Sequence, residues 1–356
     1  MGLEKQQIFI IKILIYNLKT LLTFRDMNKK YKKTIKINFR YFPENFDPEN
    51  NFLTNLLRSV YNVIIDKDAK HVFFSIYGDG PKNIGGIGSK IRRVSPDLYG
   101  FLRRSYAKIF PIKIPEPEKE DSNKIRIFFS LEYVKPDMNK YDWGFSYIYE
   151  DQIKNPRYMR LPEYLWYGAG TDLIKDKNYA KRMLKQKTKF CNFIYFNEVK
   201  FRNDFFKKLS RYKKVDSPGY CMNNMPYVEG KDWKNETYGE WHKAKVRFMK
   251  PYKFSVVSEY RIIPGLTDEK IYHAMLAGCI PIYLGNPLVH KDFNTKSFIN
   301  VHNFKNFDEA IKKVIEIDND NKLYEEMLNQ PWLINNKPGK YMDKKRILKR
   351  FERIFG

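Results

Sequence analysis

The stretch 252–304, YKFSVVSEYRIIPGLTDEKIYHAMLAGCIPIYLGNPLVHKDFNTKSFINVHNF, decides the fold. A short apolar run, a loop, a helical pattern and two further apolar runs follow in order, which is the rhythm of βαβ packing in a parallel sheet. Lys253–Ser258 reads as a buried strand rich in Phe and Val, and Glu259–Leu266 as the loop leaving its C-terminal end. Ligands of open parallel sheets bind at that end. Thr267 stands where a side-chain oxygen caps a free first-turn amide, and Asp268 and Glu269 place negative charge at the positive end of the helix dipole. Ile271, Met275 and Leu276 form the apolar stripe, and Gly278 lies where a left-handed cap is wanted. Ile280–Leu284 is the next strand, closed by Gly285-Asn286-Pro287. Glu269 and Lys270 therefore occupy the first turn of a helix beside a strand-end crevice, a place to hold a ribose hydroxyl and a phosphate.

Working outward, LTDEKIYHAMLAGCIPIYLGNP and KDFNTKSFINVHNFKNFDEAI resemble the donor-binding signature of glycosyltransferase family 10, the α-1,3-fucosyltransferases. The family elements read (V)TEK, A-x-L-A-G/S-x-x-P-I/V-x-x-G and S-F-I/V-x-V-x-D/N-F. Spacing alone gives a nucleotide-type crevice; sugar transfer comes from the resemblance. It implies an α/β fold of GT-B type, with two Rossmann-like parallel-sheet domains facing a cleft. It also implies an inverting transfer of fucose from GDP-fucose to the hydroxyl of a glycan or glycoprotein acceptor. No bound cofactor is implied, and the sequence does not require a divalent metal.

Two further stretches carry the resemblance. Ile125–Ser130 is a short strand followed directly by Leu131-Glu132-Tyr133, then by Asp142-Trp143-Gly144-Phe145 and Tyr158-Met159-Arg160-Leu161-Pro162. This is similar to the family's acceptor side, and the match implies that Glu132 is the general base. Leu131 and Tyr133 stand where the family has Gly and Asn. Later, the strand Phe190–Phe196 leads through Asn197 to Arg202-Asn203-Asp204-Phe205-Phe206, with Leu209 on the same helix face. The family arginine in this pattern contacts the donor diphosphate, and Arg202 is its match. Asn197, Arg202, Tyr260, Glu269 and Lys270 are thus the implied donor-binding set, with Glu269 on the ribose hydroxyls. Positive groups suit the departing diphosphate, which gains charge, and a carboxylate suits the acceptor hydroxyl, which must lose its proton.

The chain departs from the family at Ser258-Glu259-Tyr260, where F-E-N is usual, at Leu266 in place of a Tyr, and at Asp268 in place of a Thr. These positions border the phosphates and the sugar, so the sugar itself stays open. A transferase for another nucleotide sugar and a non-catalytic sugar-nucleotide or glycan-binding relative are the alternatives.

With 356 residues the chain has length for two cores. The expected division is an N-terminal amphipathic segment (1–33), an acceptor-side domain (34–180), a donor domain (181–335) beginning in the basic linker 181–189, and a basic amphipathic helix (336–356). The net charge of +25 invites a nucleic-acid partner. Its lysines are scattered, however, among the abundant Asn, Ile, Tyr and Phe that AT-rich coding gives, so nucleic acid is the weaker expectation. Three cysteines fit neither a zinc nor a disulfide pattern. Residues 8–24 are interrupted by Lys12, Asn17 and Lys19, short of the ~20 apolar residues that cross a bilayer. No cleavable signal follows them, so a cytoplasmic or peripheral-membrane location is expected, with the N-terminal segment as an amphipathic helix on a membrane or on the protein itself. The resemblance implies that the last helix, with Ile347, Leu348, Phe351, Ile354 and Phe355 on one face, crosses back to the first domain, with a membrane-surface helix as the alternative. Asp66-Lys67-Asp68 and Asp318-Asn319-Asp320 have the DxD form of a manganese site but read as polar turns.

Overall fold

The computed structural model describes residues 32–43, 46–77, 115, 117–132, 134–168, 170–228 and 238–356. Most of the N-terminal amphipathic segment and Tyr133 lie outside these residues.

Two compact units divide the chain: the described residues of Met1–Phe129 with Asn139–Trp143 and Leu348–Gly356, and those of Ser130–Met138 with Gly144–Ile347. In the first unit, β1 (Thr34–Arg40), β2 (Asn62–Ile65), β3 (His71–Phe74) and β4 (Ile125–Ser130) pair in parallel in the order β2-β1-β3-β4. The helix Phe52–Arg58 covers the sheet with Leu53, Leu56 and Leu57 buried, and the Asn51 side chain accepts the Thr54 amide at its start. Helix Lys344–Phe355 ends in this unit. Phe355 meets the rings of Tyr61 at 5.8 Å and His71 at 4.7 Å, and Phe351 meets Phe73 at 6.4 Å. The apolar face of this helix is therefore spent inside the protein. Among the described residues no helix is long and apolar enough to cross a bilayer.

In the second unit β5 (Trp143–Ser146) and β6 (Tyr158–Arg160) pair in parallel through Gly144–Ser146 and Tyr158–Arg160. The larger sheet is all parallel: β7 (Lys189–Asn192), β8 (Val215–Asp216), β9 (Tyr252–Ser258), β10 (Ile280–Leu284) and β11 (Ile299–Asn300), in the order β11-β10-β9-β7-β8. β9 is central and buried along nearly its whole length, which is why it reads as a continuous apolar run. Helices Lys200–Leu209, Tyr238–Met249, Glu269–Leu276, Phe307–Asn319 and Asn321–Asn329 accompany it.

The basic run 181–189 is built into the second unit. Tyr179–Leu184 is a helix of the second unit, and Tyr179 meets Trp332 edge-on at 6.2 Å. Just before it, Lys175 donates to the Leu328 and Gln330 carbonyls at 2.6 Å each, with its ammonium 3.2 Å from the Trp332 ring centre. The charges of 181–189 mark a solvated helix face and the turn after it. Likewise the DxD tripeptides are engaged in the scaffold. Asp66 pairs with Lys36 at 2.8 Å, Asp318 is buried against Lys253 at 2.7 Å and Lys213 at 3.1 Å, and Asp320 caps helix Asn321–Asn329.

Candidate active site

The loop that leaves β9 is held by a buried polar network. Asn286, just beyond β10, accepts the Gly265 and Leu288 amides through Oδ1 at 2.9 Å each, and donates to Thr267 Oγ1 and Tyr149 Oη at 2.9 Å each. Arg160, at the end of β6, makes a two-pronged pair with Asp292 at 2.6 and 2.9 Å, and donates to the carbonyls of Tyr147 at 2.7 Å and Gly265 at 3.0 Å. Its guanidinium lies between the rings of Tyr149 (4.2 Å) and Tyr341 (4.4 Å). Asp292 also accepts from Tyr149 and Tyr164 at 3.1 Å each and from Thr267 at 3.2 Å. Thr267 is thus consumed by this network, and the helix cap expected of it falls to Asp268, whose carboxylate accepts the Lys270 amide at 3.1 Å. At the other end of that helix Gly278 adopts φ +68°, the left-handed conformation expected of it.

With the loop fixed, the helix start gathers charge. Lys270 Nζ contacts the Asp268 carboxylate and lies 3.7 Å from Glu259 Oε2 and 3.8 Å from Glu269 Oε2. Glu259 is fully buried, accepts the Asp268 amide at 3.1 Å through one oxygen, and has no hydrogen-bond donor on the other. Burial and the neighbouring Asp268 push its carboxyl well above the usual range. Burial opposes the charge on Lys270, but Asp268, Glu269 and Glu259 outweigh it and hold the ammonium well above its ordinary pKa. Glu269 goes the other way: burial works against it, yet Lys270 and Lys245 hold it ionised, far below the usual carboxylate range. Glu163, in the turn Glu163–Trp166 packed beside this helix, is driven up by burial and by Glu269 and Asp268.

Arg202 lies in the first turn of helix Lys200–Leu209 and is 3% exposed. Its guanidinium stacks 3.7 Å from the Tyr195 ring centre, donates to the Asn197 carbonyl at 2.5 Å, and reaches the Ser258 carbonyl at 3.4 Å. The Nε–H is buried and has no acceptor in the protein. Of the expected set, Asn197 thus contributes its main-chain carbonyl. Tyr260, 39% exposed, donates through its hydroxyl to Glu132 at 3.3 Å.

The structure therefore brings Glu132, Tyr260, Arg202, Glu269 and Lys270 into one unit, at the C-terminal ends of β7 and β9 and around the helix that follows. Residues 130–138, Glu132 among them, pack with the second unit. Sequence reasoning overlooked Glu163, Lys245 and the burial of Glu259. Lys245 sits in an ordinary basic helix, and only packing reveals its partner. Among the described residues no group of three or more His, Cys, Asp or Glu is arranged to hold a metal ion.

Parallel strands that end on helix starts bearing arginine and lysine define an α/β class of protein whose strand ends are the usual place for a ligand. Residues 183–346 match the sequence model of "Glycosyltransferase family 10 (fucosyltransferase) C-term". The chain is 31% identical over 239 residues to an alpha-(1,3)-fucosyltransferase of Helicobacter pylori, which covers 58% of this chain and 47% of that protein. It is 33% identical over 144 residues to alpha-(1,3)-fucosyltransferase B of Drosophila melanogaster, covering 38% and 32% respectively. The chain spans between a quarter and about half of the length of the curated relatives it matches. In structure it is similar to an α1,3-fucosyltransferase crystallised with GDP-fucose, with a TM-score of 0.64, 23% identity and 91% coverage of both chains. The fold is that of these GT-B-type enzymes.

Proposed function

We propose that the protein is an inverting glycosyltransferase that moves fucose from GDP-fucose to a glycan hydroxyl. The acceptor oxygen attacks the anomeric carbon while the bond from that carbon to the β-phosphate oxygen breaks, and GDP leaves with the electron pair. Glu132 takes the acceptor proton. Arg202 and Lys270 meet the charge that grows on the diphosphate, and Glu269 holds the ribose hydroxyls. The observation that carries this reading is the buried Nε–H of Arg202, left without a protein acceptor at a helix start. A buried donor without a partner is costly, and a phosphate oxygen would satisfy it.

Glu132→Gln is expected to abolish fucosyl transfer to a panel of labelled glycans while leaving GDP affinity, measured by calorimetry, unchanged. Undiminished turnover would remove Glu132 from the mechanism. Tyr260 and the Lys270–Asp268 contact, both at positions where the chain departs from the family, favour a second reading in which another nucleotide sugar is the donor. Thermal shifts with GDP-fucose, GDP-mannose and UDP-sugars separate the two, since a ligand selective for the folded state raises its melting temperature. Peripheral membrane contact falls to the N-terminal segment in this reading, because the apolar face of the last helix is buried.

A further inference from the structure

Lys245 is 6% exposed on helix Tyr238–Met249, and its ammonium lies 3.1 Å from Glu269 Oε1. A lysine that deep is tolerated when its charge is paired. We infer that Lys245 is a positioning residue that fixes Glu269 and keeps it ionised as the acceptor for the two ribose hydroxyls, so that the site selects ribonucleotides over deoxyribonucleotides. This rests on the reading of Glu269 as the ribose ligand.

Each element packed around Glu269 contributes to its charge state. Its own helix supplies Lys270, Asp268 and His273, while helix Tyr238–Met249 supplies Lys245 and His242. The turn Glu163–Trp166 supplies Glu163, and the end of β9 supplies Glu259. The two imidazoles lie 4.9 Å apart, and the Tyr167 ring packs on both at 4.3 and 5.0 Å. Burial keeps both histidines neutral at pH 7, so the positive charge on that side of Glu269 comes from Lys245. Lys270 is shared with Asp268 and Glu259, whereas the ammonium of Lys245 pairs with Glu269. With Lys245 tied to Oε1, the carboxylate is held in one orientation. An ionised carboxylate has four lone-pair sites, which leaves acceptors for a vicinal diol. A site built to bind a hydroxyl rejects an analogue that lacks it, because the buried acceptor is then stranded.

The test measures calorimetric affinities of the full chain for GDP, 2′-deoxy-GDP and 2′,3′-dideoxy-GDP from pH 5.5 to 8, in the wild type and in K245M, K245R and E269Q. The wild type is expected to favour GDP over the deoxy analogues by about tenfold or more, with little pH dependence. In K245M that ratio is expected to collapse toward that of E269Q. Its GDP affinity should also weaken as the pH falls, because Glu269 without its cation takes up a proton at higher pH. K245R should restore both. Full discrimination and a flat pH profile in K245M overturn the inference, and so does a K245R that discriminates no better than E269Q, which decides the matter should K245M fail to fold. A wild type that binds GDP and its deoxy analogues alike refutes the ribose role, whereas no binding of GDP at all refutes the donor-site reading on which it rests.

Discussion

Two buried arginines in the same unit are built to opposite plans. Arg160 is fully enclosed, and every face of its guanidinium is used by the Asp292 carboxylate, two carbonyls and two tyrosine rings. Arg202 is nearly as deep but keeps its Nε–H without an acceptor. The contrast separates a cation that holds the fold from one held ready for a ligand. Burial is common to both; what differs is whether the donors are satisfied from within. Asp292 ties Arg160 to the loop and helix that carry Lys270, so the closed arginine steadies the other cation proposed for the diphosphate.

Removing one member of the closed pair should have the largest effect. Asp292→Ala strands the Arg160 charge and frees Thr267, Tyr149 and Tyr164, and a loss of about 3–5 kcal/mol of stability is expected in urea unfolding. A loss below 1 kcal/mol would break the comparison.

The histidine pair beside the open site gives an effect of nearly that size in acid. Burial, then Lys245, depresses His242 to about 4, and His273 lies well below its ordinary range for the same reasons. The unfolded chain takes up these protons first, near pH 6.5. Stability is therefore complete above about pH 6.5 and falls as the pH drops toward 4, by roughly 3 kcal/mol for His242 alone. Unfolding midpoints measured across that range check it, and His242→Gln should flatten the slope.

The open arginine should show the reverse pattern of the closed one. Arg202→Met keeps an apolar stem against Tyr195, so stability is expected to change little. GDP affinity should fall by about 1.5–3 kcal/mol, the worth of one charge-assisted contact. Calorimetry and urea unfolding on the same sample separate the two effects.

The smallest effect concerns the carboxylate that occupies Lys270. Asp268→Asn keeps the helix cap, since Asn caps as well as Asp, but removes a negative charge beside the phosphate position. GDP binding is expected to tighten by roughly two- to fivefold, because the repulsion removed with this buried carboxylate is partly offset by a weaker hold on the Lys270 ammonium. Weaker binding would mean that Asp268 assists the lysine instead of competing for it.

Much of the donor half can be read from residue order. The strands at Lys253–Ser258 and Ile280–Leu284, the loop between them, Gly278 and the Asn306–Glu309 cap all have local causes, and β9 and β10 fall where the apolar runs end. Elsewhere the tertiary context shifted the outcome. Thr267 and Asp268 are both residues that cap helices, Asp the better of the two, and the demand of Asp292 for donors takes Thr267 out of the choice.

The order of residues by itself determined a parallel α/β scaffold and placed Glu269, Lys270 and Arg202 at helix starts after strands, because periodicity and capping act over a few residues. Tertiary structure alone decided that Glu132 packs with Tyr260, that Arg160 closes on Asp292, that Lys245 serves Glu269, and that Phe355 meets His71. Each of those pairings joins residues 24 or more positions apart. Their electrostatics depend on burial, and a sequence does not state which charges will share the same small volume.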